Sequence, residues 1–420
     1  MTARITNWAG NVAFSARRRH EPASQDELIE LVARLPRVRA LGTGHSFSRV
    51  ADTTGDLISL ARMPGVLAID PARSQAAVSA GIRYAELAVP LHRAGYALAN
   101  LASLPHLSVA GACATGTHGS GRGNTGLAAA VAALDLVTAS GEVVTLDQGE
   151  PAGRLAGAVI ALGALGVVSS LTLDLVPAFD LRQYVYEDMP VAELEGNLAE
   201  IFAGGYSVSV FTTWQGERVR QVWLKQLAGQ EAPPRRWLGA LLADGQRHPV
   251  PGASPAACTT QLGVAGPWHE RLPHFRADAV PSSGDELQSE YLLPHEQAVE
   301  ALRAIRRIAA EVGPALQVSE IRVVAADELW LSPSYRRDTV AVHFTWISDS
   351  RAVAPAISAV ERELAPLGAL PHWGKLSAIS PASLASGYER AADFARLRRE
   401  LDPAGKFGNE LTEALFPAAS

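Results

Sequence analysis

The sequence predicts an α+β fold of two domains, and three features of its texture predict it. Over residues 1–178, short β-type runs alternate with helical patterns among many glycines. From residue 179 the runs lengthen into strand-like stretches suited to an antiparallel sheet. Between those stretches lie two periodic apolar helices, enough to cover one face of the sheet and leave the other free.

In chain order, "VRALG", "VLAID" and "QAAVSAG" read as strands, "YAELAVPLHRAG" as a helix and "EVVTL" as a strand. Next, "LAGAVIALGALGVVSSLTL" (residues 155–173) approaches membrane-spanning length, but its glycines and Ser169-Ser170 divide it into a buried helix, a turn and a strand. The later part has the strands "YSVSVFTTW", "RVRQVWLKQ", "LQVSEIRVVA" and "DTVAVHFTWI", with helices in "EQAVEALRAIRRIAAEV" and "AVAPAISAVERELAPL". Residues 227–284 are rich in Pro, Gly and Arg, and are expected to form loops shaping a pocket rim.

The chain has 420 residues, 48% of them hydrophobic, so it can bury a large core. With 19% charged residues, a net charge of −6 and no block of like charges, it lacks the footprint of a nucleic-acid or anionic-membrane partner. A small uncharged or cationic molecule fits better. Only Cys113 and Cys258 occur, far apart and outside any metal-ligand spacing, which suits a reducing cytosol and leaves no metal site. "MTARITNWAG" shows no secretory signal.

Glycines fall in two clusters, "RALGTGHSFSRV" (residues 39–50) and "SLPHLSVAGACATGTHGSGRG" (residues 103–123). Small residues there leave backbone N–H groups open, and such concavities bind phosphate oxygens, with Ser46, Ser108, Thr115 and Thr117 as further donors. Two such loops suggest a pyrophosphate, although either alone serves equally well as a tight turn. Neither matches the dinucleotide or P-loop pattern. His45, at the tip of the first loop, is either a hydrogen-bond donor to phosphate or ribose or a residue with a further task.

On the substrate side, strand alternation in "LQVSEIRVV" groups Glu320 and Arg322 with Leu316 and Val318, against Ser319, Ile321 and Val323. In "DTVAVHFTWI" it groups Thr339, Ala341, His343 and Thr345 against Val340, Val342, Phe344 and Trp346. Lys375 follows a bend at Pro371 and Gly374. Read alone, these charged residues are either an ordinary solvated set or a polar site.

Taken together, "GTGHSF" and "ASLPHLSVAG…ATGTHGSG" resemble the FAD-binding loops of the vanillyl-alcohol oxidase/p-cresol methylhydroxylase flavoprotein family. With "NWAGN", "GALGVV", "HPVPG", "GPWHERLPHFRA", "ELQSEYL", "EIRVVAAD", "HFTW", "PHWGK" and "DPAGKF", the resemblance spans almost the whole chain and narrows to the alditol oxidases. It implies a two-subdomain FAD-binding domain over residues 1–178, a substrate-binding cap over 179–375, and a return to the FAD domain over 376–420.

The resemblance also implies FAD bound covalently through the His45 imidazole, attached at the 8α-methyl carbon. Leu41, Gly42, Thr43, Gly44, Ser46, Phe47, Ser103, Ser108, Gly111, Ala112, Cys113, Ala114, Thr115, His118, Val167 and His372 would surround the cofactor. Ser103, Glu320, Arg322, Thr345 and Lys375 would line the polyol site. The implied reaction passes hydride from C1 of xylitol or sorbitol to flavin N5, and O2 then reoxidises the flavin to give H2O2.

Arg322 and Lys375 would stabilise the developing alkoxide while Glu320 holds the cations in place. Lys375, with its pKa depressed by the neighbouring like charge, can itself accept the proton. Ala102 sits where a small residue admits dioxygen to the ring.

Ala112-Cys113 departs from the Ser-Val of the relatives, and Cys113 reads as a small buried filler. His106 and His118 read as loop packing, and Lys406 and Asn409 as groups approaching the ring. "GPWHERLPHFRA" is either a pocket wall or a subunit contact. A monomeric cytoplasmic enzyme follows, with an aldonolactone oxidoreductase, a non-catalytic FAD- or sugar-binding protein and a nicotinamide-dependent UDP-sugar reductase as alternatives.

Overall fold

The structure, a computed structural model, describes residues 5–149, 153–279 and 285–417. Its N-terminal part holds three small sheets, one of them the antiparallel pair Tyr96–Ala97 and Val176–Pro177. Arg19–His20, Asp56–Ile58 and Val38–Ala40 pair in parallel. Leu67–Asp70, Gln75–Ser79, Val167–Asp174, Val131–Val137 and Val143–Asp147 form an antiparallel sheet in that spatial order.

The apolar segment at residues 155–173 divides as its glycines predict. A helix, Arg154–Val159, ends before a turn in which Leu162 and Gly163 both take positive φ, and the strand Val167–Asp174 follows. No helix among the described residues is long and apolar enough to cross a membrane.

The second part is a ten-stranded antiparallel sheet. Its centre runs Asp180–Pro190, Arg218–Leu227, Ser207–Thr212, Leu316–Val324, Thr339–Ile347 and Glu286–Pro294. Asp180–Pro190 and Glu286–Pro294 are long central strands beyond the four expected from alternation. Their mixed polar and apolar faces weaken the signal.

One face is covered by helices. Ala298–Arg307 and Ser350–Leu364, the two expected from periodicity, bury Leu302, Ile305, Val353 and Val360 against Ile321, Val340, Val342 and Phe344. The shorter helices Val191–Gly196 and Leu198–Ala203 extend the same layer. Asp349 starts the Ser350–Leu364 helix by accepting hydrogen bonds from the Arg351 and Ala352 N–H groups. The opposite sheet face turns toward the glycine loops.

One face assignment is corrected. The register slips between Leu316 and Val318, so the extra residue sends Leu316 to the helix side while Val318 stays with Glu320 and Arg322. The C-terminal helices Ala391–Leu401 and Glu410–Leu415 return to the N-terminal core, where Phe394, Leu397 and Phe407 are buried together with Leu155 and Trp330.

Candidate active site

A cavity of about 430 Å³ lies between the N-terminal domain and the free sheet face. The first glycine loop reaches it because three residues of "NWAGN" hold its backbone. Trp8 N–H donates to the Gly44 carbonyl at 2.8 Å, and the Asn7 and Asn11 amides donate to the Ser46 and Phe47 carbonyls, each at 2.9 Å. Gly44 takes φ +72°, a conformation that favours glycine.

This hold places His45 on the cavity wall, where Trp8 stacks on its ring at 5.4 Å between centroids. His45 Nδ1 meets Thr43 Oγ1 at 3.1 Å, and Nε2 is buried without a hydrogen-bond partner. Burial, then the positive neighbours His106, Lys375 and Arg83, lowers the His45 pKa to about 4. The ring is therefore a neutral imidazole at neutral pH.

The second loop meets the first at Gly42 and Gly111. A Cβ on either would stand 2.5 or 2.7 Å from Ser108 Oγ, so both positions exclude a side chain. Ser108 occupies the N-cap position of the helix Val109–Ala114, yet its side chain makes no cap hydrogen bond, and its buried hydroxyl has no partner. A pyrophosphate oxygen is the acceptor this chemistry lacks. Unpaired His45 Nε2 and Ser108 Oγ, lining one cavity with two bare glycine turns, fit FAD.

Leu41, Gly42, Thr43, Gly44, Ser46, Phe47, Ser103, Ser108, Gly111, Ala112, Cys113, Ala114, Thr115, His118 and His372 all line the same cavity, with Ala102. Val167 does not. It is fully buried in the core, and Val168, the next residue of the strand, takes the cavity side.

Lys406 and Asn409 are also corrected. Lys406 Nζ donates to the Val32 and Ala139 carbonyls, both at 2.7 Å, and Asn409 caps the helix Glu410–Leu415 while its amide ties down the Asp52 carbonyl at 2.9 Å. Neither lines the cavity, since the C-terminal return secures the first loop from behind. Burial pushes the Cys113 thiol up to about 12, which keeps it protonated and inert.

Three adjacent strands supply the polar wall. Gln288 and Glu290 come from Glu286–Pro294, His343 and Thr345 from Thr339–Ile347, and Glu320 and Arg322 from Leu316–Val324. Lys375 joins them because the "PHWGK" bend extends the sheet edge. The His372 N–H donates to the Glu290 carbonyl and the Leu376 N–H to the Gln288 carbonyl, each at 2.9 Å. The bend is fastened in turn to the first loop by Phe47 N–H on the Gly374 carbonyl and Ser48 Oγ on the Trp373 carbonyl, both at 2.7 Å.

Arg322 takes its main counter-ion from Glu290, which its guanidinium meets directly. Glu320 is farther away, 3.7 Å from Arg322 Nε, and is hydrogen-bonded to His274 Nε2 at 2.7 Å. The expected role of Glu320 in holding the cations therefore passes largely to Glu290. Burial opposes the charge of each group, but Glu290 and Glu320 keep the Arg322 pKa raised, and Arg322 with His118 holds the Glu290 carboxyl well below the usual range.

Glu290 was missed in the sequence, although the alternation in "ELQSEY" carries it. It also stands 3.3 Å from His118 Nε2 and 3.5 Å from His343 Nδ1. Its closeness to His118 and His372 would suit a cation, but the Arg322 guanidinium already supplies positive charge there.

Lys375 Nζ donates to Gln288 Oε1 and lies 5.1 Å from the centre of the Phe47 ring. Its pKa falls to about 8, chiefly through burial, with Glu290 opposing and Arg322 adding a smaller effect. The expected depression is present, while its leading cause is desolvation. "GPWHERLPHFRA" forms a pocket wall through His274 and Phe275, while Trp268 is fully buried.

Residues 17–147 match the family described as FAD binding domain, and residues 285–415 match D-arabinono-1,4-lactone oxidase. A solvent-stable cholesterol oxidase shares the fold with a TM-score of 0.78 at 15% identity, over 98% of this chain and 97% of its own. Fold and site together define an FAD-dependent oxidoreductase.

An alditol oxidase from a Streptomyces species is 50% identical over 99% of this chain and 100% of its own length. An L-gulono-1,4-lactone dehydrogenase from Mycobacterium tuberculosis is 29% identical over 98% of each chain. The chain belongs to the alditol oxidase family.

Proposed function

We propose that the protein oxidises the C1 hydroxyl of a linear alditol, xylitol or sorbitol, to the aldose, with FAD carried covalently on His45. The observation that supports this most is the convergence of Glu320, Arg322, Thr345 and Lys375 on the cavity wall that also contains His45. FAD held by the glycine loops would supply the hydride acceptor for the alcohol carbon and the route by which two electrons reach dioxygen, giving hydrogen peroxide.

The chain's residues provide the rest. Ser103, Glu320 and Thr345 present hydroxyl and carboxylate groups to successive hydroxyls of an extended polyol and so choose which carbon reacts. Lys375, brought to about 8, accepts the hydroxyl proton at Nζ. Arg322 stays charged beside Glu290 and stabilises the alkoxide that forms. Ala102, a small buried residue on the cavity wall, leaves room for dioxygen.

In this reading residues 1–178 and 376–420 hold the cofactor and residues 179–375 the substrate. The protein works as a monomer in the cytosol, in keeping with two cysteines that are free and buried. The match of residues 285–415 to a lactone oxidase family favours one rival, oxidation of an aldonolactone. Product analysis with xylitol and with gulonolactone, each with peroxide detection, separates them. The account expects aldose and peroxide from xylitol, and activity on the lactone alone would refute it.

A further inference from the structure

His274 belongs to the pocket-wall segment and touches both sides of the site. Its backbone N–H and that of Phe275 donate to the Ser103 carbonyl at 3.1 and 3.3 Å, so the segment fixes the loop that presents Ser103. Its side chain reaches the other side, where Nε2 meets Glu320 Oε1 at 2.7 Å. The imidazole is buried and packed edge-on against Phe211 and Trp223, with centroids at 5.5 and 5.1 Å.

Behind the ring lies Lys225, a fully enclosed lysine in the strand Arg218–Leu227. Its Nζ has three neighbours: the Leu272 carbonyl, the Pro273 carbonyl at 3.3 Å and His274 Nδ1 at 3.2 Å. Burial lowers the Lys225 pKa to about 7, but the Glu320 carboxylate is held ionised and can only accept, so the neutral ring carries its proton on Nε2 and Nδ1 accepts from Nζ. The ring proton then points at Glu320. One carboxylate oxygen of Glu320 is thereby occupied, and Oε2 remains as the acceptor beside Arg322 Nε at 3.7 Å.

We propose that His274, donating through Nε2 and braced at Nδ1 by Lys225, is a positioning residue that fixes the Glu320 carboxylate and joins it to Ser103 as one polyol-recognition unit. This rests on the reading of Glu320 and Ser103 as substrate-binding groups. A carboxylate locked through one oxygen offers a single directed acceptor, which selects a hydroxyl at one distance along the polyol chain. Freed of its partner, Glu320 would rotate and bind substrate weakly while the groups that take the proton and stabilise the alkoxide stay in place. The signature is therefore a rise in KM with a much smaller change in kcat.

The segment does not need the imidazole to fold. Thr259 N–H donates to the His274 carbonyl and Arg276 N–H to the Ala257 carbonyl, each at 2.9 Å. In the flavin-loaded protein, His274→Phe keeps the ring and loses the donor, whereas His274→Gln keeps a donor near the Nε2 position. Loss of one charge-assisted hydrogen bond should raise KM for xylitol about thirtyfold in His274→Phe, with kcat within about threefold, and His274→Gln should return KM to within about fivefold of the wild type.

A wild-type KM in His274→Phe overturns the proposal. So does a joint fall of kcat and flavin content at unchanged KM, or a Gln variant as impaired as Phe. Should His274→Phe not fold, Lys225→Met leaves the ring but removes the partner that holds Nδ1; KM should rise about tenfold, and no change overturns the proposal. A wild-type protein that yields no peroxide from any polyol overturns the functional reading, and this inference with it.

Discussion

Thr43 Oγ1 holds His45 Nδ1 at 3.1 Å, and the other nitrogen of this cavity-lining ring is buried with nothing to bond. The stacked Trp8 ring prevents it from swinging away. A neutral, oriented imidazole at the wall of a flavin site is a nucleophile awaiting an electrophilic carbon. Acid precipitation of the wild-type protein should therefore give a yellow pellet and His45→Ala a colourless one. Covalently retained flavin in His45→Ala would refute the linkage.

The approach of Gly42 to Gly111 predicts a separable pair of defects. Gly42→Ala places a Cβ 2.5 Å from Ser108 Oγ, and overpacking of this kind costs about 1–3 kcal/mol. Adding Ser108→Ala removes the clashing oxygen and should restore the melting temperature. It should not restore flavin content, because the buried, unpartnered hydroxyl is the donor proposed for the cofactor. Full recovery of the flavin-to-protein absorbance ratio in the double variant would show that Ser108 only fills space.

Lys375 sets the sign of a pH profile. Its folded pKa lies near 8, below the usual 10.5, so the proton-accepting amine appears as pH rises through that value. The kcat/KM for xylitol should climb through an apparent pKa near 8 and level off above it. Lys375→Arg keeps the charge but cannot accept a proton, and should lose at least about a hundredfold together with that limb. A profile that falls through this range would assign Lys375 the role of a cation.

Glu290→Gln leaves the buried Arg322 guanidinium without its direct carboxylate partner. Breaking a buried pair on one side costs about 3–5 kcal/mol, and urea unfolding should register a loss of that order. A loss under about 1 kcal/mol would mean that Glu320 replaces the missing charge.

The legible parts of this molecule were those written in local pattern. Two-residue alternation placed Glu320, Arg322, His343 and Thr345 on one wall, and the glycine spacing located both loops. The proposed covalent role of His45 rests only on the resemblance, since geometry alone allows a phosphate contact. Leu316 was misplaced because a bulge leaves no mark on hydrophobic periodicity, and Val167 because a one-residue slip exchanges the faces of a strand.

Long-range partners were beyond reach. Lys406 caps carbonyls more than two hundred residues away in sequence, and Glu290 meets Arg322 across the intervening strand Thr339–Ile347. The depression of the Lys375 pKa was foreseen from a neighbouring cation, but its main cause, enclosure by protein, depends on the whole fold.

The central claim is that this cavity passes the electrons of a polyol hydroxyl to bound flavin. Anaerobic mixing of the yellow protein with xylitol tests it without reference to any electron acceptor. The account predicts that the flavin absorbance bleaches fully and that admitting oxygen restores it with formation of hydrogen peroxide. A flavin that stays oxidised in saturating xylitol and sorbitol would contradict the account.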